Sequence, residues 1–162
     1  MNVRVSNRGD GRLREQRTRF GRGTSVFDVG EPISEAARLM YADDLASQTL
    51  GIEVALAEPG HAVTTMTVRA NQCNGLGVCH GGLIFTLADT AMAFATNASG
   101  EHAFATNAEV DFVSPARAGD RLTADCVRIV ERGRASVCDV TVRNQDDAIV
   151  AVFRGRTLAT RP

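Results

Sequence analysis

A chain of 162 residues suits one domain, and 44% hydrophobic with 23% charged residues is the balance of a globular protein able to bury a core. The formal net charge of -1 gives no support to a general nucleic-acid-binding surface, and no run of about 18 apolar residues occurs to suit a spanning helix. Neither nucleic acid nor membrane is therefore expected as a partner. The four cysteines (Cys73, Cys79, Cys126, Cys138) form no C-x-x-C pair, and His61, His80 and His102 stand apart. Metal-ligand spacing is absent, so no metal is expected, and the thiols read as free in a reducing cytoplasm.

All 18 basic residues are arginine, and seven of them (Arg4, Arg8, Arg12, Arg14, Arg17, Arg19, Arg22) crowd the start of the chain. That segment lacks the apolar stretch of a secretory signal. Residues 1–30 are expected to be a disordered, Arg-rich extension, with the folded domain over 31–162.

In chain order, residues 33–47 (ISEAARLMYADDLAS) have a helical pattern. Ile33, Ala36, Ala37, Met40 and Ala46 share an apolar side, and Ser34 is placed to cap it. The stretch GIEVALAEPGHAVTTMTVRA predicts a hairpin: strands over 51–57 and 61–70 around a turn at Pro59-Gly60. Residues 82–98, rich in Ala, Leu, Met and Phe, predict a second helix that is apolar nearly all round and hence buried. Four β-type segments come next, over 103–113, 120–131, 134–144 and 148–159, with turns at 117–120, 131–134 and 144–147 between them. In the third, Cys138, Val140 and Val142 share one face, and Asp139, Thr141 and Arg143 the other. Short links make antiparallel neighbours. The expected class is α+β: one curved antiparallel sheet wrapped around a long central helix, with an additional N-terminal helix. A single sheet leaves open edges, which favours pairing between subunits.

The chemistry concentrates in NGLGVCHGGLIFTLADTAMAFATNA, residues 74–98. Gly81 and Gly82 sit where loop becomes helix. A helix start presents free N–H groups and the positive end of the dipole. Glycine lets a carbonyl oxygen approach them, which is the physical form of an oxyanion hole. Two glycines also serve simply to make a tight turn. Asp89 is the one ionisable residue between Leu83 and Ala95. An unpaired carboxylate on a buried helix is costly and tends towards a raised pKa, a pattern common at catalytic sites. The structural alternative is a carboxylate facing water through a groove.

Gly81 and Asp89 are eight residues apart, which on one helix is about 12 Å of rise and about 80° of rotation. They cannot easily serve one carbonyl within one chain. If both act together, two subunits supply them, and a homodimer with interfacial sites is expected. His80 either meets the ligand or satisfies backbone groups at the turn. Asn74 orders its loop or touches the substrate carbonyl, and Thr90 is placed to orient the neighbouring carboxylate. Arginines at the turns (Arg117, Arg121, Arg132, Arg134, Arg154, Arg156) are candidates for phosphate contacts or a solvated face.

The motif NGLGVCHGGLIFTLADTA resembles the signature of the hotdog-fold acyl-CoA thioesterases of the PaaI type, from phenylacetic acid degradation. The likeness extends to AARLMYADDLASQTLGIEV before it, and to VDFVSPARAGDRLTADC and CDVTVRNQDDAIVAVFRGR after it. It spans roughly residues 33–158 and leaves the Arg-rich start unmatched. The resemblance implies a five- or six-stranded antiparallel sheet around a long helix, in dimers that pair into tetramers. It implies that Asp89 is general base or nucleophile and that the Gly81 N–H polarises the thioester carbonyl. Asn74 and His80 would shape the site, Thr90 would support the carboxylate, and coenzyme A would enter as part of the substrate, with no separate cofactor.

The resulting reading is hydrolysis of an aryl-acetyl-CoA, such as phenylacetyl- or hydroxyphenylacetyl-CoA, with the acyl group beside the apolar helix at Gly82 and Phe85. Two other readings stand beside it: a hotdog enoyl-CoA hydratase or dehydratase, and a non-catalytic acyl-CoA sensor.

Overall fold

A computed structural model of the chain describes residues 33–160, so the extension expected over 1–30 lies outside the described residues. Helices α1 (Glu35–Asp43) and α2 (Leu45–Leu50) open the described chain. Strands β1 (Ile52–Glu58) and β2 (His61–Thr67) come next, then a 3₁₀ turn at Ala70–Gln72 and helix α3 (Gly81–Asn97). Strands β3 (Ala103–Phe112), β4 (Arg121–Arg132), β5 (Ala135–Arg143) and β6 (Ile149–Ala159) complete it. The six strands form one antiparallel sheet in the order β1-β2-β4-β5-β6-β3. The turn at 117–120 therefore does not make neighbours of β3 and β4, as a short link was expected to: the chain crosses from the β6 edge to place β4 between β2 and β5.

The alternation in β5 directs Ser136, Cys138, Val140 and Val142 inward, as the sequence pattern requires. Together with Met66, Leu122, Ala124, Cys126 and Phe153 they meet the apolar side of α3, where Leu87, Ala88, Ala91, Met92, Phe94 and Ala95 are all buried. Register shifts in β1, β3 and β4 add local twist, which bends the sheet around the helix.

The single helix expected over 33–47 is two helices. Asp44 leaves helical geometry (φ -84°, ψ 72°), and its carboxylate accepts the Ser47 N–H at 3.0 Å, capping α2. Capping by an acidic residue competes with helix continuation. The break rotates α2 relative to α1, so Ser47 is buried and Ala46, expected on the apolar side, is exposed. Ser34 does cap α1, accepting the Ala37 N–H at 3.1 Å.

Helix α3 is tied along its length. Thr64 Oγ1 donates to the Leu87 carbonyl at 3.2 Å, and the Gly60 N–H at the hairpin tip donates to the Ala95 carbonyl at 2.8 Å. At its end, the Asn97 amide exchanges hydrogen bonds with the backbone of Ala103, at 2.7 and 3.1 Å. Gly155 marks the tightest approach of sheet to helix. A Cβ there would lie 2.2 Å from Met92 Sδ and 2.9 Å from the Phe153 ring. Gly155→Ala is expected to destabilise the fold by about 1–3 kcal/mol through overpacking. Chemical denaturation checks this; an unchanged midpoint would show that Met92 moves aside freely.

Candidate active site

The N-terminus of α3 is built by its own cap. His80 is extended (φ -62°, ψ 127°), and its Nδ1 accepts the Gly82 N–H at 3.1 Å. An accepting Nδ1 places the proton of the neutral ring on Nε2, which projects from an exposed residue as a donor. The next two N–H groups, of Leu83 and Ile84, go to the His80 carbonyl at 2.9 and 3.4 Å. Gly82 is thus engaged by His80, whereas the Gly81 N–H has no acceptor among the described residues. Of the paired glycines, Gly81 carries the free donor at the positive end of the dipole.

The preceding loop is held by Asn74, whose Oδ1 accepts the N–H groups of Leu76 at 2.9 Å and Val78 at 3.4 Å. Gly77 takes the left-handed turn conformation there (φ 74°). Beside Gly81 lies a cavity of about 290 Å³, lined by Val78, Cys79, Gly81, Ile84, Phe112, Val113, Ser114 and Pro115. The Phe112 ring stands over Gly81 so closely that a Cβ on that glycine would be 3.0 Å from the ring tip. A larger cavity of about 400 Å³ opens among Leu50, Gly51, Glu53, Thr65, Arg69 and Arg121. It contains no residue between His80 and Thr90, so it lies apart from the candidate residues of α3.

Asp89 sits two turns into α3. It makes no hydrogen bond or ion pair with a described residue, and burial raises its pKa above the ordinary aspartate value. Gly82, Phe85, Thr86, Asp89 and Ala93 form the less covered stripe of the helix, while the rest of it is largely buried. Phe85 is half-buried on that stripe and packs edge-on against Phe153 at 5.3 Å. Thr90 turns inward, and its hydroxyl lies 3.3 Å from that of Ser47, with no hydrogen bond to Asp89.

Thus Asn74, His80, Gly81 and Gly82 come together at the helix start, and Asp89 and Phe85 lie further along its open side. Sequence reading missed the facing wall, Phe112 to Pro115. The available signal was an apolar pair, Phe112-Val113, at a strand end closed by proline. Several candidate arginines are engaged elsewhere. Arg154 makes a bidentate pair with Asp139 (2.6 and 2.7 Å), which holds that carboxyl below its ordinary pKa. Arg156 donates to Asn107 at 2.7 Å, and Arg134 to the Ala159 carbonyl at 3.2 Å.

A free N–H at a helix start can polarise a carbonyl, and a partnerless, desolvated carboxylate can take a proton or attack. Residues 76–151 match the thioesterase superfamily, and the sheet wrapped on α3 is its hotdog fold. The chain is 42% identical over 121 residues to acyl-coenzyme A thioesterase PaaI of Escherichia coli, covering 75% of this chain and 86% of that protein. The solved structure of that PaaI protein, from the phenylacetic acid degradation operon, superposes with a TM-score of 0.76 at 40% identity, over 78% of this chain and 91% of that one. A mutant of phenylacetic acid degradation protein PaaI from Thermus thermophilus gives 0.69 at 33% identity, over 72% and 100%. A Streptococcus mutans protein bound to acetyl CoA gives 0.65 at 28% identity, over 67% and 88%. This chain belongs to the PaaI-type acyl-CoA thioesterases, and is a thioester hydrolase of the hotdog class.

Among the described residues, no group of three or more His, Cys, Asp and Glu side chains is placed to hold a metal ion. No described helix is long and apolar enough to cross a membrane.

Proposed function

We propose that this chain hydrolyses an aryl-acetyl-CoA, of the phenylacetyl or hydroxyphenylacetyl kind, to the free acid and coenzyme A. The observation that carries the mechanism is the separation of its two unengaged groups. The Gly81 N–H and the Asp89 carboxylate lie about 12 Å apart along one helix and about 80° apart around it. One thioester therefore takes the donor from one protomer and the carboxylate from its partner. The edge strand β3, whose outer side pairs with no described strand, supports such a dimer. Two such dimers pairing gives the tetramer.

In this reaction the thioester oxygen lies against Gly81 N–H, which stabilises the negative charge as the carbonyl carbon becomes tetrahedral. Asp89 of the partner subunit takes a proton from water, whose oxygen attacks that carbon. The C–S bond then breaks and the coenzyme A thiolate leaves, taking up the proton. Desolvation makes Asp89 a stronger base than an exposed aspartate, which favours this role. Direct attack by the carboxylate, giving a mixed anhydride that water then hydrolyses, uses the same groups. His80 and Asn74 hold the loop that presents Gly81. Gly82 and Phe85 line the approach of the acyl group, and Thr90 positions Asp89 by anchoring that turn of α3 to Ser47. Ile84, Phe112 and Val113 offer an aryl group apolar contact beside the donor. Water is the one co-reactant this chemistry uses, and the cytoplasm is the compartment we assign.

The test is free-thiol release from a panel of acyl-CoAs. Aryl-acetyl-CoA is expected to exceed acetyl-CoA in kcat/KM by about 10–200-fold, the discrimination an apolar pocket provides. Equal rates would sink the aryl preference. No release from any ester, with tight binding retained, would favour the sensor reading. Hydration of an enoyl-CoA would favour the hydratase, although no histidine is hydrogen-bonded to Asp89 as its acid–base pair.

A further inference from the structure

We infer that Cys73 and Cys79 are a reversible oxidation site that closes a disulfide across the loop in front of Gly81. The two residues face each other in an isolated antiparallel bridge. The flanking hydrogen bonds run from the Asn74 N–H to the Val78 carbonyl (2.8 Å) and from the His80 N–H to the Gln72 carbonyl (2.9 Å). That pattern makes Cys73 and Cys79 a non-hydrogen-bonded pair, in which Cα atoms lie about 4.5 Å apart and side chains are at their closest. Disulfides span Cα separations of about 4.4–6.8 Å, so the backbone need not open to accept one. The loop between them is already compact, held by Asn74 Oδ1 and the turn at Gly77.

The two thiols differ in a way that orders the chemistry. Cys73 is partly exposed, whereas Cys79 is buried and forms part of the wall beside Gly81. Burial, with Cys73 adding to it, pushes the Cys79 thiol up to about 11. Cys73 therefore meets a hydroperoxide first. Its sulfur takes the terminal oxygen, the O–O bond breaks, and a sulfenic acid and an alcohol (or water) result. Cys79 sulfur then attacks Cys73 sulfur, the S–O bond breaks, and water leaves with the Cys79 proton. In sum, two thiols and one hydroperoxide give one disulfide, one alcohol and one water. Both sulfurs give up weak contacts to carbonyls, of Arg69 and His80, each at 3.8 Å. Cys79 turns away from the cavity as it bonds, which changes the wall next to the donor. The effect on turnover rests on the proposed hydrolysis; formation of the bond does not.

Cys126 and Cys138 provide an internal comparison. They lie on the neighbouring strands β4 and β5, but both are fully buried against α3, out of reach of the oxidant in the folded protein.

The experiment treats the native full chain with hydrogen peroxide, blocks remaining thiols, and cleaves after Leu76, between the two cysteines. Two fragments held together until dithiothreitol is added are expected, along with several-fold lower thioester turnover that dithiothreitol restores. The Cys73→Ser protein should show neither change and keep its turnover through the peroxide treatment. Absence of the linked fragments in the wild type, or their presence with turnover unchanged, overturns the proposal. A reduced protein that cleaves no thioester overturns the hydrolase reading instead, because the linked fragments are read without activity.

Discussion

Asp89→Asn is expected to lower thiol release by about 10²–10⁴-fold, the contribution typical of a positioned base, while the fold is retained. The same change should raise stability at neutral pH. Burial raises the folded-state pKa of Asp89 above its unfolded value, with no charged partner to compensate. A group of this kind favours the folded state fully below the unfolded pKa, and that contribution is lost as pH rises through the folded value. At pH 7 the wild type therefore carries an ionised, desolvated carboxylate that asparagine does not. Denaturation midpoints should show the variant ahead at pH 7 and the gap closing below about pH 4, where the aspartate is neutral in both states. In the wild type, kcat/KM should rise with pH through an inflection above the ordinary aspartate value. Lower activity accompanied by lower stability would mean that Asp89 is structural; undiminished activity would remove it from the mechanism.

The second large effect isolates a single hydrogen. Gly81→Pro deletes the free N–H at the first position of α3, where proline is well accepted in a helix. His80, at ψ 127°, already has the backbone a residue before proline adopts. Proline also brings a Cβ that presses on Phe112, so Gly81→Ala is the matched control. Turnover of the proline variant is expected to fall about 10²–10³-fold below that of the alanine variant, the usual loss of one oxyanion donor. Comparable rates in the two would show that the N–H is not the donor and that Phe112 placement is what matters.

Much of this was legible in the residues because periodicity reports burial directly. Every strand from β1 to β6 falls within three residues of its expected ends, and α3 within one. The break at Asp44 was not legible, because DDL reads equally well as helix interior or as cap. Only tertiary packing of Ser47 against Thr90 decides between them. In the site, the peculiarities of Gly81 and Asp89 are local: a loop-to-helix junction and a lone charge in an apolar run. Phe112 was illegible for the opposite reason. It is distant in sequence, and its placement over Gly81 results from β3 lying beside β6 at the far edge of the sheet. The pairing of Cys73 with Cys79 likewise depends on a bridge register that spacing alone does not reveal.

The fastening of α3 at Thr64, Gly60, Asn97 and Ser47 has a consequence for how such an enzyme changes over time. The spindle that carries the carboxylate is clamped by the sheet and has little freedom to drift. The wall opposite Gly81, from Phe112 to Pro115, starts at the last residue of β3, runs into the following loop, and supports little of the core. On the proposed mechanism, substrate preference can therefore be rewritten on that wall, residue by residue, while the helix stays as it is.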